Sequence, residues 1–117
     1  MADALARNSV QSGLNASTIN RMLTWDETKR QSNLAKHGLD FAHAALVLES
    51  PWRMDVDVVR SHELRTQSLA YVVDHLRVLT VVHTEREGAH RVISFRRASA
   101  QEREAYHEWL DGSTDDA

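Results

Sequence analysis

Residues 76–97, LRVLTVVHTEREGAHRVISFRR, decide the fold. Leu76 to Thr84 is rich in β-branched residues, and Leu79-Thr80-Val81-Val82 is apolar on both faces, which predicts a central strand. Glu85 to Ala89, with Gly88, predicts a hairpin turn, and His90 to Arg97 is the returning strand. Simple alternation puts His90, Val92, Ser94 and Arg96 on one face of that strand and Arg91, Ile93, Phe95 and Arg97 on the other. Before this hairpin, Leu64 to Val73 is a further strand, joined across Asp74-His75 by a tight hairpin without the usual glycine. Met54 to Val59 alternates apolar and acidic residues, so one of its sides is expected to be wet.

After the hairpin, Ser99-x-x-Glu102 is a capping box, because each side chain can satisfy the other's free backbone N–H. Ala105, Tyr106, Trp109 and Leu110 form the expected buried stripe of the closing helix, with Gly112 as its end and residues 111–117 a disordered acidic tail. Towards the N-terminus, Asp40 caps a helix whose apolar stripe is Phe41, Ala44, Ala45 and Leu48, and which must stop before Pro51. Asp26 caps another from Glu27 to His37, closed by Gly38. Lys29, Asn33 and Lys36, at i, i+4 and i+7, share one polar face of it, and taken alone such a stripe reads as the wet side. Met22 to Trp25 is a short apolar opening of strand type. Residues 1–21, rich in Ala, Ser and Asn, read as a flexible leader to a domain spanning 22–110. The expected fold is α+β, with two helices, an antiparallel sheet of about four strands and one C-terminal helix.

Composition narrows the chemistry. The chain has 117 residues, enough for one domain. It has no cysteine, hence no disulfide, thiolate site or cysteine nucleophile. No apolar run could span a bilayer and no signal-peptide core opens the chain, so a cytoplasmic protein without a membrane partner is expected. A net charge of −3 argues against a strongly basic nucleic-acid binder, but Arg91, Arg96 and Arg97 cluster near the end of one strand. Seven histidines show no metal-binding spacing, although His83 and His90 can face each other across a hairpin. Ser94 lacks a nucleophile elbow, and no glycine loop cradles phosphate. What remains is a sheet face carrying Arg, His and Glu: His83 and Glu85 share a face, as do Glu63 and Arg65. Such a face can cleave a phosphodiester without metal. An acid–base pair serves the 2′-hydroxyl and the leaving oxygen, and arginine stabilises the phosphorane. Composition and spacing alone favour the plainer alternative, a solvated face with rim ion pairs.

Several motifs occur in a familiar order. The run Trp25-Asp26-Glu27-x-Lys29-x-x-x-Asn33-x-x-Lys36-His37-Gly38-Leu39-x-Phe41-x-x-Ala44 resembles the opening signature of the BrnT-type toxins of bacterial toxin–antitoxin systems. Ser50-Pro51, Glu63-x-Arg65, Val81 to Arg86, Arg91 to Ala98, Glu102 and Tyr106 resemble its later elements in order, over roughly residues 22–110. The resemblance implies a RelE-like fold and a ribonuclease that blocks translation, acting on RNA at the ribosome or free of it, with no metal or organic cofactor. It implies a cognate BrnA-like antitoxin with a ribbon-helix-helix part, through which alone the complex reaches operator DNA. By position it implies catalytic roles for Arg96, His37, His83, Glu63 and Arg65. Arg96 is foremost for transition-state charge, and His37, His83 and Glu63 are the acid–base candidates. It implies RNA contacts from Lys36, Arg91, Arg97, Tyr106 and Lys29. A non-catalytic binding module, acting only in an antitoxin–DNA repressor complex, is the alternative. Phe95 departs from the family pattern, where a small residue is usual, and is expected to narrow the cleft.

Overall fold

The computed structural model describes residues 23–115. The expected leader, residues 1–21, and the last two residues of the expected acidic tail lie outside them. The elements are β1 (Leu23–Trp25), α1 (Glu27–His37), a 3₁₀ turn (Phe41–His43), α2 (Ala45–Leu48), β2 (Met54–Arg60), β3 (Glu63–Val72), a second 3₁₀ turn (Val73–His75), β4 (Arg77–Arg86), β5 (Ala89–Arg97) and α3 (Ala100–Asp115). Among the described residues no helix is long and apolar enough to cross a membrane.

Local chemistry explains most boundaries. The Asp26 side chain accepts from the Lys29 N–H, and Gly38, at φ 71°, returns its N–H to the Leu34 carbonyl. Ser99 and Glu102 bond reciprocally, the Ser99 N–H to Oε1 at 2.8 Å and the Glu102 N–H to Oγ at 3.2 Å. Ser61 and His62, both at positive φ, make the two-residue turn between β2 and β3, and Glu87-Gly88 does the same between β4 and β5.

Four expectations about the elements themselves need correction. The sheet has five strands, not four, in the order β1-β5-β4-β3-β2, and is mixed: β1 runs parallel to β5 while the other pairs are antiparallel. The helix expected after Asp40 breaks into a 3₁₀ turn and one turn of α2. Its fully buried residues are Phe41, Ala44 and Val47, spaced by three as a 3₁₀ backbone requires, with Ala45 and Leu48 at the margin. Asp74-His75 is not a two-residue hairpin turn but part of a 3₁₀ turn closed by Leu76 in the left-handed region at φ 53°. Finally, α3 runs through Gly112 to Asp115, so much of the expected tail is helix; Ala105 is exposed, and only Tyr106, Trp109 and Leu110 of its stripe pack inward.

Both faces of the sheet are used. Helices α1 and α2 cover one face, where Phe41, Ala44 and Val47 meet Ala70, Val72, Leu79, Val81, Val92 and Phe95. Helix α3 covers part of the other, packing Tyr106, Trp109 and Leu110 on Met54, Leu69, Val78 and Ala98. The expected central strand is central, with Leu79, Thr80 and Val81 inaccessible.

A bulge in β5 overturns the simple alternation. Ser94 pairs with Val82 and Val92 with His83, so Ile93 is an extra residue. Val92 and Phe95 therefore face the same helix-covered core, and Arg91 joins Ser94 and Arg96 on the opposite face. Phe95 is fully buried beneath α1 and narrows no cleft.

Candidate functional site

The predicted residues separate into three groups. The first is at the edge of β5. Strand β1 pairs only as far as Val92, and beyond it the Asn33 side chain stands in for a strand. Its amide donates to the Phe95 carbonyl at 2.8 Å, and its oxygen accepts the Phe95 N–H at 3.2 Å. A third bond, to the Leu39 carbonyl at 2.9 Å, closes the loop after α1. Asn33 is thus a buried anchor rather than part of a wet stripe, while Lys29 and Lys36 on the same helix are exposed. By pinning α1 to β5 it sets the last turn of α1, with Lys36 and His37, beside Arg96 and Arg97. Burial, then the positive fields of Lys36, Arg96 and Arg97, hold His37 below its ordinary value.

Arg96 is not free. Its Nη1 and Nη2 bond both oxygens of Glu102, at 2.8 and 2.9 Å. Glu102 also accepts from Gln67 Nε2 at 2.7 Å and caps α3 through Ser99. The Arg96 guanidinium, the Ser99 N–H and Gln67 together hold the Glu102 carboxyl down at about 2, against the opposing effect of partial burial. The planar fork of Arg96 is held in one orientation at the start of α3.

The second group lies farther along the same sheet face, where α3 no longer covers it. Glu63 Oε1 accepts from Arg65 Nε at 3.0 Å, and Arg86 Nη2 lies 3.5 Å from its Oε2. Arg91, on this face, has no ion-pair partner among the described residues. At about 3.3 Å per strand residue, the level of Arg65 lies roughly 13 Å along β4 from that of Arg96. Gln67, Val82 and Ser94 sit between them in register.

His83 belongs to neither group. It faces the opposite side of the sheet, behind Arg96, Arg65 and Glu63. There Arg53 Nε lies 3.1 Å from Asp55 Oδ1, which accepts from Ser68 Oγ at 2.7 Å, and Ser68 Oγ is 2.8 Å from His83 Nε2. Since the Ser68 hydrogen goes to Asp55, His83 Nε2–H donates and its Nδ1 carries the lone pair. The His90 ring stands edge-on at 5.2 Å. Burial, reinforced by His90, pushes His83 down to about 4, so it is neutral at pH 7. Neither Nδ1 has a hydrogen-bond partner among the described residues. The expected His83–His90 proximity is present, but neither Ser68 nor Asp55 was picked out from the sequence, because pairing across strands brings them together and no local motif marks them. Tyr106 also lies apart from an RNA-accessible surface: it is 1% exposed, donates to the Trp52 carbonyl at 2.8 Å and accepts the Tyr71 N–H at 3.2 Å. No three His, Asp or Glu side chains among the described residues converge as a metal site would need.

In the comparison by sequence, residues 25–102 match the ribonuclease toxin BrnT of type II toxin–antitoxin systems. The chain belongs to the BrnT toxin family. That match covers both ends of the site, from Trp25 before α1 to Glu102 on Arg96. No individual curated protein matches the chain. Membership in a type II toxin–antitoxin family brings with it a ribonuclease toxin's role and an antitoxin partner.

Proposed function

We propose that this BrnT-family protein is a metal-independent endoribonuclease of RelE-like architecture whose reaction centre is the β5 edge. The observation that carries the proposal is the pair of bonds from Asn33 to Phe95, which fixes the end of α1, with His37, at the stretch of β5 that carries Arg96 and Arg97. His37, neutral at pH 7, takes the proton of an RNA 2′-hydroxyl. The 2′-oxygen attacks the adjacent phosphorus, the bond to the 5′-oxygen breaks, and that oxygen takes a proton from water at the open edge. Arg96 stabilises the charge on the phosphorane, held in orientation by Glu102. Lys36, Lys29 and Arg97 contact flanking phosphates, and Arg65 and Arg91 form the track along the open face, with Glu63 orienting Arg65. In this assignment His83 and Tyr106 support the fold. A ribbon-helix-helix antitoxin neutralises the toxin and carries the complex to operator DNA.

The test is cleavage of a defined single-stranded RNA in the presence of EDTA, with analysis of the new ends. A 2′,3′-cyclic phosphate and a 5′-hydroxyl, absent with His37→Ala and Arg96→Ala, are expected. Folded wild-type protein that leaves RNA intact, with and without ribosomes, would sink the proposal. One observation favours a second reading. Glu102 neutralises Arg96, which suits a non-catalytic member acting only within the antitoxin complex. Intact RNA together with tight antitoxin binding would select it.

A further inference from the structure

A concave site of about 460 Å³ lies at the other end of α3's first turns, lined by Tyr71, Leu76, Arg77, Val78, Arg97, Ala98, Arg103 and His107. We infer that it is a subsite for the phosphodiester backbone of single-stranded RNA, an inference that rests on the ribonuclease reading. Three observations carry it.

The first is charge. Arg77, Arg97 and Arg103 line one concavity in a chain of net charge −3, Arg77 and Arg97 from the strand ends and Arg103 from α3, and none has a carboxylate partner among the described residues. Most other arginines of the fold are paired: Arg30 with Asp40, Arg53 with Asp55, Arg65 with Glu63 and Arg96 with Glu102. Cations around one concavity, without carboxylates to neutralise them, favour an anion there.

The second is positioning. Arg77 Nε bonds the His75 carbonyl at 3.2 Å, in the turn that Leu76 closes, and Arg103 Nη1 bonds the Ala98 carbonyl at 3.2 Å. Arg103 and His107, at i and i+4, share a face of α3. Each tether uses one N–H of its guanidinium and leaves the others for a ligand. Tyr71, 44% exposed, adds an aromatic surface beside the cations, the combination that suits a base next to its phosphate better than an acidic peptide.

The third is continuity. Arg103 follows Glu102, the partner of Arg96, in the first turns of α3, so this helix joins the concavity to the proposed reaction centre. The volume falls within the roughly 300–1,000 Å³ typical of small-ligand sites.

The experiment measures binding rather than cleavage, by anisotropy of a labelled, uncleavable 2′-O-methyl RNA across a salt series. Replacing both Arg77→Gln and Arg103→Gln should reduce the slope of log affinity against log salt by about 1.4, at about 0.7 per phosphate contact, and weaken binding roughly 10- to 30-fold at 0.1 M salt. Arg77→Lys with Arg103→Lys should keep the slope. Tyr71→Ala should weaken binding by about fivefold or more with the slope unchanged. Wild-type affinity and slope in the folded Gln double variant would overturn the subsite and leave the ribonuclease reading standing. Failure of the wild-type protein to bind RNA at any salt would overturn both. Unchanged RNA binding with lost binding to polyglutamate would reassign the concavity to an acidic protein partner.

Discussion

The two faces of this sheet carry two polar clusters made of the same residue types, and they differ in every respect that governs chemistry. On the helix-covered face, Arg53, Asp55, Ser68 and His83 form a closed chain, and burial pushes His83 down to about 4. On the opposite face, Arg96 is oriented by Glu102 and Arg91 is without an ion-pair partner among the described residues, and at the strand edge burial and then its cationic neighbours hold His37 below its ordinary value. The first arrangement has few unsatisfied valences and little access to substrate; the second has cations to offer an anion. Residue type does not separate them. Side of the sheet does, and one extra residue, Ile93, sets the side for Arg91.

The contrast is broken most directly by Arg96→Ala. Cleavage is expected to fall about 10²- to 10³-fold with the fold retained, since Arg96 is a half-exposed side chain acting on developing charge; single-turnover assays and circular dichroism check this. Substituting His83→Gln should leave cleavage per folded molecule near wild type, and a loss as large as that of Arg96→Ala would move the reaction centre to the other face.

Asn33→Ala should erase the distinction by loosening the joint between the two regions. It leaves the Phe95 N–H and carbonyl without their partner and frees the end of α1, so a loss of about 2–4 kcal/mol in urea unfolding is expected, with reduced cleavage. A full-strength enzyme at lowered stability would show that the α1–β5 joint does not position His37.

The pH dependence sharpens the comparison. His83 titrates near 6.5 when unfolded and at about 4 when folded, so the unfolded chain binds the extra proton between those values. Its stabilising contribution is present above pH 6.5 and is lost as pH falls towards 4, about 2 kcal/mol of it between pH 7 and 5. Denaturant midpoints should decline over that range, and His83→Gln should flatten the decline. Glu102 acts in a separate, lower window: its stabilising contribution is present above the ordinary carboxylate range and is lost as pH falls through about 2. The smallest effect is kinetic. The acidic limb of kcat/KM should lie below the ordinary histidine value, because His37 must be neutral to act as base, and Lys36→Glu should move it upward. A limb that ignores both Lys36→Glu and His37→Ala would exclude His37 as the base.

Much of this was legible in local patterns. Asp26, Gly38, the Ser99–Glu102 box and the apolar run through Leu79 to Val82 mark their elements because each acts within a few residues of itself. The 3₁₀ break after Asp40 was partly legible, since burial at Phe41, Ala44 and Val47 follows a period of three, but Ala45 and Leu48 also fit an α-helical stripe. The motif order from Trp25 to Glu102 carried the family, which the sequence comparison bears out. Other features needed the folded chain. The parallel pairing of β1, the substitution of Asn33 for a sixth strand segment and the Ser68–His83 contact all join residues far apart in sequence, and no spacing rule reports them. By itself the sequence determined where strands and helices begin, because caps, turns and periodicity are short-range physics. Tertiary structure alone decided which polar residues share a face, because one bulge shifts a strand's alternation by a residue and strand pairing then sets every neighbour across the sheet.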